Sequence, residues 1–285
     1  MTRAWLMIFS LLISWPSVAQ KPVRQELDFV RHLMSRNEFR ESLSLLEGLK
    51  PEEPMLIDSV NYFKGWILYQ QKQLKPSADF LLAVSPESPL FNKSRFFASY
   101  NLGHSGFYLQ ADSVLQELVF ETGSVEGALL NFEKGGVALL MRDYEAFDQY
   151  AASFSGSYNA FALQEKSLVE LSGQLRDFPR RSPALAGALS AVIPGLGKVY
   201  SGKKAEGIAS FLYVGAMALT TFDFYRRLGP KNVFFILSAA TTGVFYVGNV
   251  WGSAIAAGRQ RNEFNYEMDQ RILFDMHIPL RNIFR

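Results

Sequence analysis

"YFKGWILYQQKQLKPSADFLLAVSPESP", residues 62–89, reads as two helices closed by a proline. In the first helix Gly65 leaves room for a neighbour. In the second, Leu74 is followed three residues on by the small Ser77, and Pro89 ends the unit. Small residues let two helices approach closely, bulky ones fill the gap, and proline stops the second helix. The same bulky-x-x-small device recurs through the first half of the chain. Phe39 leads to Ser42, Tyr108 to Ala111, and Tyr144 to Phe147, where a bulky residue replaces the small one. From Phe39 through Leu74 and Tyr108 to Tyr144 the steps are 35, 34 and 36 residues.

Between Lys21 and Phe178 the apolar residues keep helical spacing, with few alternations of the strand kind. Leu27, Val30, Leu33 and Met34 share one face, Phe39, Leu43 and Leu46 the next, and Asn37 marks the turn between them. A unit of about 34 residues built from two helices resembles the tetratricopeptide repeat. The second unit fits that pattern best through Gly65, Ser77 and Pro89, and the third repeats it with Leu102-Gly103 and Ala111. "GGVALLMRDYEAFDQYAASF" follows it more loosely, and the first unit lacks the helix A glycine. The resemblance implies three to four degenerate repeats over 20–178, ending in a capping helix from Asn159 to Leu175. It further implies an all-α solenoid whose concave face holds a peptide or protein partner, and a scaffold or adaptor without catalysis. Gly65, Ser77, Gly103 and Ala111 are its expected packing residues. Tyr62, Trp66, Tyr69, Tyr100, Tyr108 and Tyr144 either line a groove or fill the core, and a rigid spacer that binds nothing is the alternative.

The chain has 285 residues and a net charge of +2, so bulk electrostatics give no reason to expect a nucleic-acid partner. It contains no cysteine, which excludes disulfide staples, a lipidated cysteine and thiolate chemistry. The first residues, "MTRAWLMIFSLLISWPSVAQ", have the form of a secretory signal peptide. Arg3 supplies the positive start, Ala4 to Trp15 the apolar stretch, and Ser17-Val18-Ala19 the small residues before cleavage. Removal of residues 1–19 places the repeats outside a bacterial cytoplasm; an uncleaved anchor helix is the alternative.

After Phe178 the composition changes. Three apolar stretches follow: Ala184 to Val199, broken by Pro194-Gly195; Ile208 to Phe222; and the uncharged run Val233 to Ala257. The last is long enough to cross a bilayer, and the second is long enough if extended to Ala205. Residues 179–260 are therefore expected to form a small transmembrane helical domain of two to three hydrophobic helices. Three crossings place six basic residues on each side; two crossings leave three inside and nine outside, so the positive-inside rule leans towards three.

"SAVIPGLGKVYSGKKAEGI", residues 190–208, joins the first two stretches. It is not a Walker loop, because Val199 follows Lys198 where Ser or Thr is needed and the upstream glycine is missing. A dinucleotide fingerprint also fails, since Tyr200 stands where the third glycine belongs. Pro194, Gly195, Gly197, Tyr200 and Gly202 instead suit a tight membrane-surface turn. They resemble a bacterial membrane module marked by P-G-x-G-x-x-Y-x-G, over roughly Ser182 to Arg259, with Gly207 also in keeping. That family carries no agreed activity, and its occurrence behind exported helical repeats implies an envelope role.

Gly248 and Gly252, with Ala256 one step on, are spaced for close helix packing against the second span or against a homo- or hetero-oligomeric partner. Asn249 is the strongly polar side chain in mid-span and Asp223 closes the preceding one. The tail, 261–285, alternates Phe264, Tyr266 and Met268 with polar residues, which suits either a strand or a segment lying on the membrane. His32, His104 and His277 lack metal-type spacing, and no glycine-framed serine occurs. No catalytic, metal or cofactor site is expected. The leading expectation is an adaptor in the inner membrane with its repeats in the periplasm, binding a protein partner. The alternative is a membrane domain that itself assists protein insertion or moves lipid or solute.

Overall fold

A computed structural model describes residues 23–121 and 123–284, so the expected signal peptide, residues 1–19, lies outside the described residues. Among the described residues there are thirteen helices and no strand. The chain divides into two compact units, Met1–Leu118 and Val119–Arg285. That boundary falls well before the composition change at 178/179.

The first unit holds α1 (Val23–Ser35), α2 (Phe39–Gly48), α3 (Pro54–Gln70), α4 (Leu74–Leu82), α5 (Phe91–His104) and α6 (Tyr108–Gln116). They pair as the hairpins α1/α2, α3/α4 and α5/α6, with α2 on α3 and α4 on α5. The second unit begins with a fourth hairpin, α7 (Val125–Met141) and α8 (Tyr144–Ala151). One turn builds all four. Asn37, Lys72, Gly106 and Arg142 each take a positive φ, from 62° to 82°. The following N–H then reaches back to the helix carbonyl five residues earlier: Glu38 to Leu33, Gln73 to Leu68, Phe107 to Leu102 and Asp143 to Ala138. This left-handed cap satisfies carbonyls that the helix end would orphan.

Each hairpin closes on a pair matched in size. A β-carbon on Gly65 would lie 2.7 Å from Leu81 Cγ, and the Ser77 hydroxyl donates to the Gly65 carbonyl at 2.6 Å. In α5/α6 the Ser99 hydroxyl donates to the Ala111 carbonyl at 2.9 Å, while Gly103 is buried one turn further along α5. In α7/α8 the bulky Phe147 is accommodated by Gly135, whose β-carbon would lie 3.7 Å from its ring. Asn101 Nδ2 donates to Ser77 Oγ at 2.9 Å and so ties α5 to the preceding hairpin. Arg95 caps α4 through the Leu81 and Leu82 carbonyls, both at 3.2 Å, and pairs with Glu117 at 2.7 Å.

The second unit continues with α9 (Ala162–Asp177), α10 (Pro183–Val192), α11 (Leu196–Tyr200), α12 (Lys204–Leu228) and α13 (Val233–Ile283). α12 and α13 are long and apolar enough to cross a membrane. Only 11% and 6% of their most apolar windows are buried within the protein, so they are not core helices of a soluble fold. α10 has ten residues, about 15 Å of helix, which is half a bilayer core. The first apolar stretch is therefore split into α10 and the short α11, and two helices of spanning length stand where two to three were expected.

The expected strand or surface-lying tail is corrected by α13. This helix runs unbroken for 51 residues, about 76 Å, carrying the tail as a continuation of the apolar run. Met268, Ile272, Met276 and Leu280 are buried at helical spacing, and this half packs on α7 and α9. The two-residue alternation at 264–268 thus sits on a four-residue one. A β-carbon on Gly136 would lie 2.5 Å from Met276 Sδ, so α7 and α13 meet at a glycine. Arg142 pairs with Asp269 at 2.7 Å, and the Ser167 hydroxyl donates to Asp275 at 2.6 Å.

Candidate functional site

The glycine turn sits where α10, α11, α12 and α13 come together. Ile193 leaves the α10 helix in an extended conformation, and Pro194 leads to Gly195 with φ +85° at the head of α11. Gly202, with φ +86°, turns the chain again before α12. Side chains are excluded by contact as well as by conformation. A β-carbon on Gly195 would lie 2.0 Å from the Gly207 carbonyl oxygen, and one on Gly207 2.5 Å from Val199 Cγ2. On Gly197 it would lie 1.8 Å from the Ala186 carbonyl oxygen, and on Gly202 2.5 Å from an Arg181 guanidinium nitrogen. The Tyr200 hydroxyl accepts the Ser182 N–H at 3.2 Å, tying the end of α11 to the start of α10.

A buried hydroxyl thread holds α10, α11 and α13 together. The Gly197 N–H donates to Ser190 Oγ at 2.9 Å, Ser190 Oγ to Ser253 Oγ at 2.7 Å, and Ser253 Oγ to the Asn249 carbonyl at 2.8 Å. Tyr246 closes the same interface with a hydrogen bond to the Ala191 carbonyl. The turn has few amides to spare for a phosphate. The N–H groups of Leu196, Gly197, Lys198, Val199, Gly202 and Lys203 are all bonded within the protein. What the geometry offers is a rigid joint.

Of the expected packing residues Gly248, Gly252 and Ala256, only Ala256 is buried within the chain. No neighbouring helix comes within 4 Å of a β-carbon on either glycine. The face of α13 that meets α10 lies one step round, at Asn249, Ser253, Ala256 and Ala257, and Ala254 lies 3.6 Å from a β-carbon on Gly187. Asn249 is buried there with both side-chain amide atoms unbonded. Asp223 pairs with Arg227 at 2.8 Å, one turn along an exposed helix end.

Of the six periodic aromatics, Tyr62, Tyr69 and Tyr100 are buried, whereas Trp66, Tyr108 and Tyr144 are half-buried. Trp66 stacks near Tyr62 and meets Phe97 edge-on, with centroids 6.0 and 4.9 Å apart. Lys93 lies over Trp66 at 4.8 Å and over Tyr62 at 5.6 Å. Burial pushes the Lys93 ammonium below its ordinary range and the Tyr62 phenol above its own. Among the described residues no group of three or more His, Asp or Glu could hold a metal.

Sequence reasoning missed Ser190, Ser253, Gly187 and Arg181. Ser190 is the lone hydroxyl of its apolar run, a signal that could have found it, whereas Ser253 shares its run with Ser238, Thr241 and Thr242. The chain matches no protein-family model, no curated protein and no solved structure.

Proposed function

We propose that this protein is a membrane-anchored adaptor whose helical hairpins, a tetratricopeptide-like array, present a protein-binding surface beside the bilayer. The observation that carries this reading is the unbroken α13, which continues from an apolar span into a helix seated on α7 and α9. A helix of this kind gives α7 and α9 a fixed mount. The glycine joint of α10 and α11 braces the mount at its membrane end. The half-buried Trp66, with Lys93 over it, is the surface group on α3 and α5 best suited to a partner, since Trp dominates binding hot spots. The protein sits in the inner membrane, and the signal-like N-terminus directs the hairpins to the periplasm.

A photo-crosslinking residue placed at Trp66 in the full chain, in cells, tests the reading. It yields one discrete protein adduct, absent when the residue is at Leu163 on exposed α9. The same smear from both positions, or no adduct from a membrane-resident chain, refutes it. The second reading, in which the membrane part itself moves a substrate, is favoured by the unbonded buried amide of Asn249. Asn249→Leu then abolishes function at unchanged protein level; a variant that works as wild type removes this reading.

A further inference from the structure

Three chain segments bring cations to one end of the membrane module: Arg180 and Arg181 before α10, Lys203 and Lys204 before α12, and Arg259 and Arg261 in α13. The segments are joined there. Arg181 donates to Gln260 Oε1 at 2.8 Å and lies against Gly202, and a β-carbon on Gly258 would lie 3.8 Å from Pro183 Cγ. Carboxylates are few, with Glu206 paired to Lys203 at 3.4 Å and Glu263 one turn outward on α13. Arg180, Lys204, Arg259 and Arg261 are exposed and have no ion-pair partner. At the opposite end of the spans Arg227 pairs with Asp223, while Arg226 and Lys231 are exposed on a helix end and a loop that, among the described residues, no other segment joins by a side-chain hydrogen bond to a cation.

Arg181 is the decisive member. It is half-buried, its guanidinium is held by a neutral amide, and it has no carboxylate partner. A guanidinium held in place by a neutral amide, with no carboxylate opposite it, is preorganised to receive an anion. Its position depends on Gly202, where any side chain would collide with the guanidinium. The first turn of α12 beside it has no side-chain cap, which adds unsatisfied amides of the sign an anion prefers. Below this rim, Leu185 and Ile208 are exposed apolar residues suited to acyl chains.

We infer that this basic collar, centred on Arg181, is a binding site for the phosphate headgroup of an anionic phospholipid. The inference rests on α12 and α13 crossing the bilayer. A guanidinium takes a phosphate by two parallel hydrogen bonds, and the flanking lysine and arginines supply the remaining countercharge. The lipid also gives a role to the unpaired Arg180, Lys204, Arg259 and Arg261, which share one end of the membrane module.

The test uses the full chain in nanodiscs of equal phosphatidylglycerol and phosphatidylcholine, counting lipids retained on gentle release by native mass spectrometry. Wild type retains phosphatidylglycerol preferentially. Arg181→Gln lowers that preference about fivefold, the equivalent of about 1 kcal/mol for one basic group. Arg181→Lys falls between the two, and Arg227→Gln at the far end leaves it unchanged. Equal retention by wild type and Arg181→Gln overturns the site. So does competition by millimolar inorganic phosphate, which marks a free-anion site and not a lipid one. A chain that enters the discs without selecting lipid overturns this inference alone; a chain that never enters them overturns the membrane reading as well.

Discussion

Gly197→Ala tests the glycine joint without the complication of backbone strain, because Gly197 lies inside α11 and has no positive φ. The added methyl would lie 1.8 Å from the Ala186 carbonyl oxygen and 2.7 Å from Ser190 Oγ. The nearer atom is backbone, so no rotamer change relieves the clash. α10 and α11 must part by more than about 1 Å, which close-packed interiors resist. That movement breaks the Gly197 to Ser190 hydrogen bond and disturbs the Ser190 to Ser253 link. Overpacking costs about 1–3 kcal/mol and each buried group left unbonded about 1–3 more. The expected loss is about 3–6 kcal/mol, a large part of a typical folding stability. The assay is unfolding of the full chain in detergent micelles, followed by circular dichroism. Gly248→Ala, which meets nothing within 4 Å, should stay within about 1 kcal/mol of wild type, on the stabilising side. Adding Ser190→Ala to Gly197→Ala should give no rescue, because the Ala186 carbonyl remains. A Gly197→Ala protein as stable as wild type, or one rescued by Ser190→Ala, would refute the reasoning.

Glu133 is buried in α7 with both carboxylate oxygens unbonded, and burial raises its pKa well above the ordinary range. The folded state then holds a proton that the unfolded state has lost, so stability falls as pH rises from the unfolded pKa of about 4.5 towards the folded one. Comparing wild type with Glu133→Gln in denaturant melts across this window, the wild type should lose up to about 1.4 kcal/mol per pH unit relative to the variant. Parallel pH profiles would show that the carboxyl is solvated. Met276→Ala empties the contact against Gly136 and should destabilise the seating of α13 by about 2–5 kcal/mol. Hydrogen exchange should accelerate over 262–283 and stay unchanged over 233–257; uniform acceleration would mean that the two halves of α13 are one cooperative element. Ser77→Ala leaves Asn101 Nδ2 without its acceptor and should cost about 1–3 kcal/mol, read as earlier loss of the first unit in the same melts. An unchanged melt would show that water replaces the hydroxyl.

The hairpin repeat was legible because its turn and its packing pair recur at nearly constant steps, even where Phe147 displaces the small residue. Its compensation at Gly135 was not, since the exchange of bulk between two helices shows only when both are in contact. The glycine motif was legible as a turn, and Gly195 and Gly202 do adopt the left-handed conformation. Gly197 and Gly207 serve close approach, a property of partners far apart in sequence. Gly248 and Gly252 show the same limit: small residues state which face can be approached, and within the chain α10 lies on the next one. The tail was obscured by exposed Tyr266 and Phe274, which mask the buried register Met268, Ile272, Met276 and Leu280. The charge count leaned towards three crossings, whereas α10 ends at Val192 after ten residues, with Ile193 extended ahead of Pro194.

Thiol labelling tests the central claim, that α12 and α13 form a hairpin across the bilayer with the α7/α8 hairpin and the glycine joint on one side. The chain has no cysteine of its own, so single cysteines report cleanly. Ser153, Lys204, Lys231 and Asn262 are exposed, and each is replaced in the full chain. Cells with a permeabilised outer membrane are treated with a membrane-impermeant maleimide. The account predicts that Ser153, Lys204 and Asn262 react alike and Lys231 oppositely, with the first three labelled if the hairpins are periplasmic. Reaction of Lys204 with Lys231, and not with Ser153, would make α10 a crossing and contradict the account.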